Sequence, residues 1–128
     1  MQLSKKGILL VKKLNIFILF YLLFTSCDSP EVTSIKTGSL ESCSDRTIDE
    51  IVSCYMASPA WESIVATDGN TYVNVTGGIQ YDGKDVNALL QFLINPDDTF
   101  EAKAFELNGI PQNFFLLATL INEMCECK

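Results

Sequence analysis

The stretch TYVNVTGGIQYDGKDVNALLQFLINPDDTFEAKAFELNG, Thr71 to Gly109, decides the fold. Thr71 to Ile79 carries Tyr72, Val73, Val75 and Ile79 with polar residues between them, the pattern of a half-exposed strand. Tyr81-Asp82-Gly83-Lys84 is a hairpin turn. Val86 to Ile94 is almost continuously apolar and reads as a central strand. Asn95-Pro96-Asp97-Asp98 is the next turn, because Pro cannot continue a central ladder. Thr99 to Leu107 is a further strand, closed by Asn108-Gly109. Thr76-Gly77-Gly78 predicts a bulge within its strand. Upstream, Trp61 to Thr67 predicts the first strand, joined through the turn Asp68-Gly69-Asn70. Connections this short favour an antiparallel meander of four strands.

Helices are expected on either side of the meander. Thr47-Ile48-Asp49-Glu50 is a capping box, with Thr47 as N-cap and Glu50 reaching back. Ile48, Ile51, Val52, Tyr55 and Met56 then recur at helical spacing, and Pro59 should stop the helix near Ser58. Pro111-Gln112-Asn113 opens a second helix, with Pro111 at its first position. Phe114, Leu117, Ala118, Ile121, Met124 and Cys125 form its apolar face. The order α-β-β-β-β-α predicts an α+β domain over residues 41–128, with both helices on one face of the sheet.

Outside that domain the composition changes. Lys5, Lys6, Lys12 and Lys13 precede an 11-residue run, Leu14 to Phe24, interrupted only by Asn15 and the amphipathic Tyr21. A basic segment before an apolar core of roughly 7–15 residues is the signature of an export signal, and the run is too short to span a bilayer. Phe24-Thr25-Ser26-Cys27 closes it. This resembles the lipobox of bacterial lipoproteins, in which an aliphatic residue and two small residues precede the modified Cys. Thr25, Ser26 and Cys27 match that pattern; Phe24 departs from it, with Leu22 and Leu23 just before. The resemblance implies residues 1–26 as a cleaved signal peptide and acyl chains on Cys27, two or more of which hold a protein firmly to a membrane. Asp28, next to that Cys, resembles an inner-membrane retention signal that varies among bacteria, so inner and outer membrane both stay open. Residues 27–40 are rich in Ser, Thr, Gly and Pro and read as a flexible tether.

Charge follows the same division. The whole chain has 9 Lys+Arg, 16 Asp+Glu and no His, a net charge of −7. Four of the Lys lie before Cys27; without them five bases face all 16 acids, a net charge of −11 over 102 residues. That balance excludes nucleic acid as a partner. It favours a basic protein partner, whose encounter it would accelerate.

Five Cys are present; with Cys27 as lipid carrier, Cys43, Cys54, Cys125 and Cys127 remain. An exported chain with an even set predicts disulfides. Cys125 and Cys127 are too close to pair without strain, so each should join the first helix region to the last. The favoured arrangement is Cys43–Cys125 with Cys54–Cys127, and the swapped arrangement stays open. Cys125-Glu126-Cys127 lacks the spacing of a redox Cys-x-x-Cys pair, and a zinc site would want a second close pair.

No catalytic pattern stands out. The missing His removes Ser-His-Asp and Cys-His chemistry, and there is no Gly-x-Ser-x-Gly elbow. Asp82, Asp85, Asp97 and Asp98 flank turns, where Asp bonds its own backbone. Asn95, Asp97 and Asp98 do not have the spacing of an EF-hand. Glu101 and Glu106 should face water from a strand. No metal and no cofactor is implied. Phe114 and Phe115 are adjacent on a helix and cannot both face the sheet, which makes Phe115 with Leu116 a candidate partner surface. The segments Pro59-Ala60-Trp61-Glu62-Ser63, Val73-Asn74-Val75-Thr76-Gly77, Tyr81-Asp82-Gly83-Lys84, Leu90-Gln91-Phe92 and Asn108-Gly109-Ile110-Pro111-Gln112-Asn113 look like those of small bacterial envelope lipoproteins that carry no transferable activity. The expectation is a lipid-anchored, non-enzymatic binding or structural module of the cell envelope, in the periplasm or at the cell surface. The alternative is an inhibitor or immunity protein against a cationic enzyme such as lysozyme or another cell-wall hydrolase.

Overall fold

The computed structural model describes residues 28–128; the expected signal peptide, residues 1–26, and Cys27 lie outside them. The described chain runs α1 (Pro30–Thr37), a 3-10 turn (Glu41–Cys43), α2 (Ile48–Tyr55), β1 (Ala57–Val65), β2 (Thr71–Tyr81), β3 (Lys84–Ile94), β4 (Phe100–Leu107), β5 (Ile110–Pro111) and α3 (Phe114–Glu126). The sheet is antiparallel throughout, in the order β1-β2-β3-β4-β5. The architecture is α+β as expected, with five strands rather than four and three helices rather than two.

The hairpin turns lie where their residues demand. Asp82 and Gly83 have φ of 54° and 77°, so Tyr81 pairs directly with Lys84 across a two-residue turn. Asp-Gly supplies both left-handed positions at low steric cost. Strand pairing then places Val73, Val75 and Ile79 of β2 beside Phe92, Leu90 and Val86 of β3. Phe105 and Leu107 of β4 extend the same face. This face and the buried sides of all three helices form one core, with Ile35, Ile51, Val52, Leu90, Phe92 and Met124 fully buried. The opposite face carries Ile64, Tyr72, Leu89 and Leu93, all only half-buried, and no helix of the described chain covers it.

Several expectations need correction. Residues 30–37, expected as part of a tether, form α1, and its Val32 and Ile35 are buried. The Ser and Pro that suggested a linker are its start signals. Ser29 is the N-cap, accepting from the Val32 amide at 3.2 Å, and Pro30 opens the first turn. Burying two aliphatic side chains contributes roughly 1.5–3 kcal/mol each, enough to hold a short helix that would not survive alone. At the other end of α1, Gly38 lies against the Phe100 ring; a Cβ there would sit 2.6 Å from it.

The capping box at Thr47 and Glu50 is present, but α2 ends at Tyr55 and β1 starts at Ala57 instead of Trp61. Ser58 takes φ of 52°, so Pro59 is accommodated in an edge strand. The expected bulge at Thr76-Gly77-Gly78 belongs to β1, where the register shifts between Ala57 and Ala60 opposite those glycines. Gly77 instead allows a close approach, with Met56 Cβ and the Ala57 carbonyl 3.0 Å from where its Cβ would stand. Pro111 belongs to β5, pairing with Glu106, and α3 begins at Phe114 with Asn113 as its cap.

Both disulfides are formed, Cys43–Cys125 and Cys54–Cys127, with Cα separations of 5.7 and 6.0 Å. Arg46 completes this junction. Its guanidinium donates to the carbonyls of Cys125 and Cys127 and satisfies acceptors that the end of α3 leaves open.

Candidate functional site

The start of α3 is placed by hydrogen bonds on both sides. The Gln112 amide donates to the Phe105 carbonyl at 2.8 Å, tying the connection to β4. The Asn113 side chain accepts from the Leu116 amide at 2.9 Å and starts the helix. The core face of α3 is Leu117, Leu120, Ile121 and Met124. Phe114, expected on that face, is 76% exposed, and Phe115 is 82% exposed. The helix begins three residues later than expected, and side chains lean toward a helix N-terminus, so Phe114 overhangs the first turn instead of reaching the sheet. Ala118 is exposed as well. Leu116, paired with Phe115 in the expected partner surface, is half-buried against the core. Ile110, on the same connection, is 64% exposed. Six consecutive residues therefore present three large apolar side chains to water.

Phe114 is also the lip of a cleft of about 580 Å³ between α3, the start of β4 and the 3-10 turn. Leu40, Phe100, Ala102, Leu117 and Ile121 give it an apolar lining, and Glu41 and Glu101 give it acidic borders. Its volume lies in the range of small-ligand and side-chain pockets. A second depression of about 540 Å³ lies at the Gly77-Gly78 end of the sheet; its one carboxylate is Glu106 and it has no aromatic lip.

Several of the other carboxylates do structural work. Asp97 accepts from the Thr99 amide and hydroxyl at 3.1 and 2.6 Å, and these bonds hold its carboxyl below its ordinary range. Asp98 has φ of 70° in the same turn. Asp68 accepts from the Asn70 amide at 2.9 Å and the Tyr72 hydroxyl at 3.0 Å, and its carboxyl is likewise lowered, chiefly by the backbone bond. Asp85 accepts from Gln80 across the β2–β3 hairpin. Among the described residues no three Cys, Asp or Glu converge on a metal-sized site. The Tyr55 hydroxyl donates to Glu123, and burial together with that bond pushes its pKa up to about 12. Its neutral form fastens α2 to α3.

Acidic side chains dominate the charge of the domain. Residues 28–128 carry 16 acids and five bases, and only Lys36–Asp28 at 2.8 Å and Lys103–Glu101 at 4.0 Å form ion pairs among them. Sequence reasoning missed Phe114 and the cleft at this site, and Arg46 at the far end of α3. The first depends on where a helix starts, the second on a gap between distant segments. Arg46 carried no motif, and its partners are about 80 residues away.

No family model matches the chain, and no match appears among curated proteins or among solved structures.

Proposed function

We propose that this chain is a lipid-anchored, non-enzymatic binding module of the bacterial cell envelope, held by acyl chains on Cys27. The lipobox-like segment supports the anchor, and the two disulfides are consistent with a location outside the cytoplasm. Among the described residues no helix is long and apolar enough to cross a membrane. The observation that carries the binding role is the exposed pair Phe114–Phe115, of which Phe114 forms the lip of an apolar cleft with acidic borders. Exposed adjacent aromatics beside a pocket are the composition of an interaction hot spot.

A second reading, an inhibitor of a cationic enzyme such as a cell-wall hydrolase, is favoured by the charge of −11 over the exported chain. Titration of the purified domain with lysozyme tests it. The expected result is binding that weakens as salt rises and that Phe114→Ser with Phe115→Ser abolishes. Absence of binding and of inhibition at micromolar concentration would remove this second reading. Cys27→Ala tests the anchor: processing and membrane association should both be lost, and their persistence would overturn it.

A further inference from the structure

The anchoring residue and the folded domain are separated by no usable linker. Asp28 is paired with Lys36 at 2.8 Å, and Lys36 Nζ lies 5.7 Å from the centre of the Trp61 ring. Ser29 caps α1, and its hydroxyl donates to the Ser63 hydroxyl of β1 at 3.2 Å. Val32 and Ile35, one turn further on, are buried in the core. Cys27 is bonded directly to Asp28, and consecutive Cα atoms are about 3.8 Å apart. Any lipid on Cys27 is thus attached beside Trp61–Ser63 on the edge strand.

We infer that the corner formed by β1 and the β1–β2 turn rests against the lipid headgroups, leaving the Asp82-Gly83 hairpin turned away from the bilayer. This rests on the lipid-anchor reading. Two features support it. Val65, two residues beyond Ser63 at that corner, is 74% exposed, the one large aliphatic side chain of β1 so presented. Thr71, which pairs with Val65, and Tyr81, which opens the hairpin, stand at opposite ends of β2, so a one-residue leash at β1 leaves the Asp82-Gly83 hairpin on the far side.

The test uses the full lipidated chain in vesicles containing an acceptor-labelled lipid. A donor dye is attached through an alkyne-bearing residue at Thr67, beside the corner, or at Lys84, at the far hairpin. The 11-residue strands between the two ends span roughly 35 Å. Energy transfer should be several-fold stronger from position 67 than from position 84. A Gly/Ser spacer of about 20 residues between Cys27 and Asp28, with an end-to-end distance of roughly 25 Å, should erase the difference. Equal transfer from the two positions in the spacer-free chain would overturn the inference. Mass spectrometry of the Cys27 peptide separates the two ideas: unmodified Cys27 overturns the anchor reading, whereas acylated Cys27 with equal transfer overturns only the orientation.

Discussion

Removing one disulfide should cost less than its long loop suggests. Cys43–Cys125 and Cys54–Cys127 close 82 and 73 residues, and either loop taken alone corresponds to about 4.5 kcal/mol of chain entropy. The two bridges nevertheless join the same pair of segments. Cys54 lies 11 positions beyond Cys43, and Cys127 two positions beyond Cys125. Once one bridge is closed, the other adds a loop of only roughly 13 residues, worth about 3 kcal/mol. Cys54→Ala with Cys127→Ala should therefore lower stability by about 3 kcal/mol, with cooperative urea unfolding retained. Cys43→Ala with Cys125→Ala should cost somewhat more, because Cys43 is buried whereas Cys54 is exposed. Removing all four thiols should cost about 7–8 kcal/mol, comparable to the whole stability of a domain this size, and should abolish the cooperative transition. A loss near 4.5 kcal/mol for the Cys54–Cys127 variant alone would refute the nested-loop reasoning.

Ile35→Ala should destabilise by about 2–5 kcal/mol in urea titration, since Ile35 is fully buried; a neutral result would mean that α1 is not part of the folding unit. Thr47→Ala breaks both halves of the capping box and should cost about 1 kcal/mol, read as a lower Tm. Gly38→Val drives a side chain into the Phe100 ring and should cost about 1–3 kcal/mol, with Phe100 signals moving in NMR spectra. Tyr55 has its pKa raised from 10.0 to about 12, so the folded state holds this proton more tightly than the unfolded state. The stabilisation it brings is complete below pH 10 and disappears as pH rises from 10 to 12. Ultraviolet titration should show a tyrosine ionising near 12, and Tyr55→Phe should remove that step.

Local rules reached a long way into this fold. The Asp-Gly hairpin, the alternation of β2 and the capping box of α2 each depend on residues close in sequence, and each is found where those residues lie. α1 escaped notice because eight residues with two apolar positions look like linker until the surface that buries Val32 and Ile35 is known. Phe114 was assigned to the core because the periodicity of α3 does not say where the helix begins; that is decided by Pro111 pairing with Glu106 in β5.

The candidate site shows the same boundary. One exposed aromatic could be inferred because adjacent helical residues cannot share a face, and Phe115 is the more exposed of the two. The cleft beside it could not, because its walls come from the 3-10 turn, β4 and α3. By itself, then, the sequence determined an α+β class, an antiparallel meander, most of its turns, the acidic surface and the strain that disfavours bridging Cys125 to Cys127. These follow from backbone geometry and composition, which act over a few residues or over the whole chain. Tertiary structure alone decided which of two disulfide pairings forms, that residues 30–37 belong to the domain, and that Phe114 overhangs a cleft. Those outcomes depend on which surfaces meet across tens of residues, and spacing along the chain carries no measure of that.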